Sequence, residues 1–127
     1  MTIDDLVRDW QNLADKLKIH LPASFIHILK TKKNHQLAWK FLSAAEALSL
    51  QAELDTRFAY PEREWRGIPF ARSTVSEDVA CFDLATPTDQ EAMVLPIRDW
   101  HGPRWEFSGG IKTFDQWLTQ DSKGHLT

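Results

Sequence analysis

The chain has a single cysteine, Cys81, among its 127 residues. That scarcity excludes an internal disulfide and any metal cage built from several thiolates, and it suits a reducing compartment. No apolar run approaches the roughly 18 to 20 residues that cross a bilayer. The opening MTIDDLVRDW places two acids within its first five residues and lacks the basic start and apolar centre of a secretory signal. The expected address is therefore the cytoplasm, with no membrane partner. An excess of positive charge is missing too: the net charge is −3, whereas a general nucleic-acid coat would be basic. The five histidines, His20, His27, His35, His101 and His125, are scattered, and Pro22 interrupts the first pair. Zinc needs three or four ligands brought close, so no metal or other cofactor is expected.

What is present is an ordinary globular composition, 43% apolar and 26% charged, at a length that fits one domain over 1–127 with a polar tail from about residue 121. Six tryptophans are the compositional signal, because tryptophan serves both cores and the anchors of protein contacts.

Ile3, Leu6, Val7, Trp10, Leu13, Ala14 and Leu17 recur at helical spacing and predict a first helix capped by Thr2, with Asp4 and Asp5 at its positive end. Pro22 suits the first turn of a second helix whose buried side is Phe25, Ile26 and Leu29. Leu37 to Leu42 is short and aromatic and predicts a strand. Ser43 and Glu46 have capping-box spacing ahead of a helix to about Arg57. After the polar YPEREWRG come strand-length runs at Ile68–Ala71, Val79–Leu84, Ala92–Ile97 and Trp105–Ser108. Thr113 and Gln116 then repeat the capping-box spacing before Phe114, Trp117 and Leu118. Helices early and strands late predict an α+β domain with an antiparallel sheet of about five strands, its helices packed on one side and at the edges.

Three local sequences in this order, Leu21-Pro22 at a helix start, IPFA at 68–71 followed by CFDL at 81–84, and Phe114-Asp115-Gln116-Trp117-Leu118, resemble the SUKH superfamily. That family takes its name from a yeast cell-wall-synthesis regulator and consists mainly of bacterial immunity proteins. The resemblance spans about residues 21–118. The family's Asn-Gly after the second helix is here Lys33-Asn34-His35, and its Gly-Asp before the central strand is Ser76-Glu77-Asp78, so only the acid at 78 carries over. The resemblance implies a SUKH-like fold and a non-enzymatic protein that binds and neutralises a cognate bacterial toxin by occlusion. The toxin would be an intracellular enzyme, a nuclease for instance. The alternative is a regulatory scaffold that binds an endogenous partner.

Among residues able to carry chemistry, Cys81 lies in VACFDL with no neighbouring base, so it reads as a packing thiol rather than a nucleophile. Glu77 and Asp78 read as a solvated turn, and Asp83 as a strand-end side chain bonded to the following loop. Lys30, Lys32, Lys33 and His35 suit the negative end of the second helix better than a phosphate track, so no direct nucleic-acid contact is expected. A small hydrolase using His101 with Asp99 is a third possibility, without a supporting motif. The partner-binding candidates are two loops rich in interface residue types: Glu62, Glu64, Trp65 and Arg66 before the IPFA strand, and Asp99, Trp100, His101, Arg104 and Trp105 around Gly102-Pro103. Placed at one end of the sheet, they would form a mixed aromatic and acidic surface able to cover a basic toxin.

Overall fold

Helix α1 (Ile3–Leu17) begins where Thr2 closes a capping box. The Asp5 N–H donates to Thr2 Oγ1 at 3.1 Å, and the Thr2 N–H donates back to the Asp5 carboxylate at 3.3 Å. The helix ends at Lys18, whose φ of 60° is left-handed. Between these ends Val7, Trp10, Leu13 and Ala14 form the buried stripe that the spacing predicts. The computed structural model describes residues 2–31, 39–56, 66–74, 78–98, 106–107 and 111–120.

Helix α2 (Ala23–Thr31) buries Phe25, Ile28 and Leu29. Pro22 stands one residue ahead of it, and its carbonyl accepts from the Phe25 and Ile26 N–H groups at 3.0 and 3.3 Å. With no side-chain cap at Pro22, a distant residue does the work: the Ala23 N–H donates to Glu91 Oε2 at 3.0 Å. The Ala92 N–H meanwhile donates to the His20 carbonyl at 2.8 Å, which holds the two segments side by side. Glu91→Ala is expected to lower unfolding free energy by about 1 kcal/mol through loss of this cap. Urea denaturation measures it, and an unchanged midpoint would show that the contact contributes nothing.

The chain continues through β1 (Trp39–Phe41), α3 (Ala44–Asp55), β2 (Gly67–Ser73), β3 (Val79–Asp83), β4 (Val94–Arg98), β5 (Glu106–Phe107) and α4 (Phe114–Gln120). The architecture is α+β, with an open antiparallel sheet in the order β1-β2-β3-β4-β5. Both later capping boxes form: Ser43 with Glu46, and Thr113 with Gln116. The tail from residue 121 lies outside the described residues, as do positions 37, 38, 105 and 108 of the expected strands.

A β-bulge at Pro69–Ala71 shapes the sheet. Ile68 faces Phe82 and Ala71 faces Ala80, so Phe70 is the extra residue and joins Ile68 and Ala71 in the main core cluster. A bulge of this kind turns two consecutive side chains toward one face. Pro69 sits beside it, where β1 no longer runs alongside, a setting in which a strand tolerates proline. Pro96 is accommodated differently. The Val94 N–H points to the outer side of β4, donating to the Lys112 carbonyl at 2.7 Å, so alternation turns the Pro96 nitrogen to the same side, where it withholds nothing from β3.

The first face of the sheet packs on α1, α2 and α4 through an aromatic cluster. Phe25 lies 5.3 Å from Trp10, 5.6 Å from Phe70 and 5.0 Å from Phe82. Phe70 lies 5.1 Å from Trp117. The second face is also apolar, because Val79, Cys81, Leu95 and Ile97 alternate with first-face residues, and Leu50 and Leu54 of α3 cover it. The expectation of helices on one side and at the edges is corrected here. Strands buried on both faces need cover on both, and α3 supplies the second layer. Helix α3 and the residue after β1 also cover the part of β2 that β1 leaves open: Gln51 Nε2 of α3 donates to the Gly67 carbonyl at 2.6 Å, and the Leu42 N–H, just ahead of the helix, donates to the Phe70 carbonyl at 2.8 Å. No helix among the described residues is long and apolar enough to cross a membrane.

Candidate functional site

Of the residues named from the sequence as partner-binding, Arg66 alone belongs to the described set; Glu62, Glu64, Trp65, Asp99, Trp100, His101, Arg104 and Trp105 lie outside it. Arg66 is exposed, and its carbonyl accepts from the Leu84 N–H at 3.0 Å as the chain enters β2. The register fixes where the two candidate segments join the sheet. Segment 57–65 leads into Gly67, which faces Asp83, while segment 99–105 follows Arg98, one step beyond the row that contains Ile97, Val79 and Arg72. These junctions are at opposite ends of the sheet, about 20 Å apart along β2 at roughly 3.3 Å per residue. The described flanks therefore do not bring the two segments to one end.

Cys81 is fully buried on the second face. Burial pushes its thiol well above the ordinary value, which suppresses thiolate formation and nucleophilicity. A thiol reagent is expected to label Cys81 only when the protein unfolds; stoichiometric labelling under native conditions would contradict this placement. Asp83 holds the turn after β3. Its carboxylate accepts from the Ala85 N–H at 3.0 Å, and its carbonyl accepts from the Thr86 hydroxyl at 2.7 Å. The buried Thr86 hydroxyl in turn accepts from the Met93 N–H at 3.1 Å, linking the turn to the approach of β4. His20 and His27 are exposed. Among the described residues no three His, Cys, Asp or Glu side chains converge as a metal site.

The charged feature that the structure does assemble is a groove of about 390 Å³ between α3 and the β1–β2 pair. Lys40 and Arg72 stand directly opposite each other on the second face. Beyond Arg72 the same cross-strand row continues into buried Val79 and Ile97. Facing the two cations, α3 presents Glu46, Ser49, Leu50 and Glu53 to the groove, at the i, i+3, i+4, i+7 spacing of one helical face. Leu42 and Leu50 supply the apolar lining, and Ser73 and Thr74 add hydroxyls. The groove sorts charge, with cations on the strands and carboxylates on the helix.

Glu46 has two duties. One oxygen accepts from the Ser43 N–H at 2.9 Å, and the other lies 3.8 Å from Lys40 Nζ. The Ser43 backbone bond foremost, and then the Lys40 charge, hold this carboxyl below its ordinary value of 4.5. A depressed carboxyl stabilises the fold while ionised. That contribution is complete above pH 4.5 and is lost as pH falls through the lower folded value. Glu46→Gln is therefore expected to make the acid-induced loss of stability shallower below pH 4.5. Urea midpoints followed from neutral to acidic pH measure this, and parallel curves for the two proteins would contradict it.

The groove escaped detection in the sequence because it depends on register. Lys40 and Arg72 lie on strands separated by α3, and nothing local to either residue marks them as cross-strand partners. The nearest sequence signal was the capping-box pair Ser43 and Glu46, which locates the start of the helical wall but not what it faces. No family model, curated protein or solved structure matches the chain.

Proposed function

We propose that this chain is a SUKH-type immunity protein that binds a cognate bacterial toxin and neutralises it by covering its working surface. The observation that carries the proposal is the meeting place of the resembling sequences. Pro22, Ile68, Phe70, Ala71, Phe82, Phe114 and Trp117 are all buried, although they come from segments scattered over residues 22–117. Phe70 stacks on Phe82 at 4.2 Å, and Phe114 lies 5.6 Å from Phe70 and from Trp117. Leu21 and Leu118 pack against the same cluster. That these short sequences meet in one core supports the reading, because packing would couple such signatures in a shared fold.

In this proposal the activity is occlusion, and specificity resides outside the core. The described core draws on Trp10, Trp39 and Trp117, and the contact role is assigned to Trp65, Trp100 and Trp105. Glu62, Glu64 and Asp99 would steer and pair with basic toxin groups, an effect expressed mainly in association rate and selectivity. Arg66, His101 and Arg104 complete the proposed contact set. Co-expression with the toxin product of the adjacent gene tests the proposal. Survival of the cells with a co-purifying complex is expected, as is loss of protection in the Trp65→Ala, Trp100→Ala double variant at unchanged thermal stability. Cell death with no complex would overturn it.

A further inference from the structure

A second hollow, of about 320 Å³, opens between the approach to β4 and the start of α4. Among the described residues, 90–93 form one wall and 113–115 the other. The paired backbones of Val94 and Lys112, with bonds of 2.7 and 3.1 Å, join the two walls. The apolar lining is Ala92, Met93 and Phe114, and the charged lining is the exposed pair Glu91 and Asp115. Unlike the groove at Lys40 and Arg72, this hollow is therefore not balanced in charge. Neither acid has an ion-pair partner among the described residues. One Glu91 oxygen accepts from the Ala23 N–H, a neutral donor, so the carboxylate keeps its charge. Asp115 lies in the first turn of α4. Each helix start supplies about half a positive charge, which leaves about one negative charge without a counter-charge.

That remainder selects the occupant. A hard metal ion is a poor match, because calcium takes about six to eight oxygens and no third His, Cys, Asp or Glu converges with these two among the described residues. An apolar lining beside one unbalanced negative charge matches a lysine or arginine side chain, whose methylene stem buries on apolar surface while its head stays at the polar edge. Ile111 is 53% exposed and stands two residues before Thr113 in the segment bridged to β4, the spacing that returns a side chain to the same side. It extends the apolar surface past the hollow, which favours a partner with a surface of its own over a free amine. The hollow also lies at the end of the sheet where segment 57–65 enters. The Met93 carbonyl accepts from the Asp83 N–H at 2.8 Å, and Asp83 faces Gly67, so Met93 and Gly67 share one cross-strand row. We propose that this hollow seats a basic side chain of a protein partner, its stem on Met93 and Phe114 and its charged head paired with Glu91 and Asp115. The inference rests on the partner-binding reading and deepens it, by placing a contact for a basic partner at the same end of the sheet as the junction of the segment that contains Glu62 and Glu64.

The test is an amide-resolved NMR titration of the full chain with three probes: a capped alanine peptide containing one arginine, the same peptide with neutral citrulline in its place, and calcium chloride. The arginine peptide is expected to shift the Met93, Thr113 and Asp115 amides saturably, and the citrulline peptide to leave them unmoved. Added sodium chloride should weaken the arginine response, because the paired charges are exposed. The Glu91→Gln, Asp115→Asn double variant should bind the arginine peptide about tenfold more weakly, the loss of two exposed charge pairs. Its fold should survive, since glutamine still offers an oxygen to the Ala23 N–H. No saturable shift with the arginine peptide, equal shifts with the citrulline peptide, or shifts remote from the hollow would overturn the inference. So would the same shifts with calcium, which would identify a small-cation site. Protection against the toxin is scored separately by co-expression, so failure of the hollow and failure of the immunity role give different results.

Discussion

Phe82→Ala is expected to cost about 3–5 kcal/mol, the range for emptying a buried aromatic site. Phe82 is fully buried and touches four other elements through its ring: Trp10 of α1 at 6.0 Å, Phe25 of α2 at 5.0 Å, Phe70 of β2 at 4.2 Å and Phe114 of α4 at 6.3 Å. Neighbours held by so many elements cannot collapse into the space, so most of the cavity should persist. Small domains are stable by only about 5–15 kcal/mol, which makes this single change comparable to the whole. Urea denaturation measures the loss. A double-mutant cycle with Phe70→Leu should return a coupling of about 0.5–1.5 kcal/mol for the stacked pair. A loss under about 1.5 kcal/mol for Phe82→Ala would be the size of a volume-conserving swap and would contradict the packing described.

The second large effect is a contrast between two tryptophans. Trp10 and Trp117 are both fully buried, so exchanging either for phenylalanine removes a similar apolar area. Their polar atoms differ. The Trp10 indole N–H donates to the Leu42 carbonyl at 2.8 Å, tying α1 to the start of α3, whereas among the described residues the buried Trp117 indole N–H has no hydrogen-bond partner. Trp10→Phe leaves a buried carbonyl unsatisfied; Trp117→Phe removes a donor that has no acceptor among the described residues. Trp10→Phe is therefore expected to destabilise by about 1–3 kcal/mol more than Trp117→Phe. Equal losses in matched denaturation curves would mean that the Leu42 bond contributes nothing net.

Features set by neighbours three or four residues apart were legible in the sequence. The cap at Thr2, the boxes at Ser43 and Thr113 and the stripe of α1 are local arrangements, and they form where the spacing predicts. The bulge at Phe70 was not legible, since its extra residue is defined only against β3. The side of the sheet that α3 covers was hidden for a different reason: the apolar residues of AAEALSLQAEL do not form one narrow stripe, and Ala44 and Ala47 join one cluster while Leu50 and Leu54 join the other. Glu91 as the cap of α2 joins residues 68 positions apart, beyond any local pattern. The candidate loops were recognised by residue type, which says what a segment could contact but not where it attaches. The groove was the converse, ordinary residues made notable by register alone.

Strand β3 is buried from Val79 through Phe82, with Ala80 and Phe82 on one side and Val79 and Cys81 on the other. It thus acts as a partition between two compartments, and substitutions on either side of it without shared partners combine nearly additively. Change on the α3 side, at Lys40, Leu48 or Arg72, can accumulate while the aromatic compartment keeps its stability unspent. A lineage facing a succession of different partners could redraw that outer surface repeatedly and inherit the same scaffold each time.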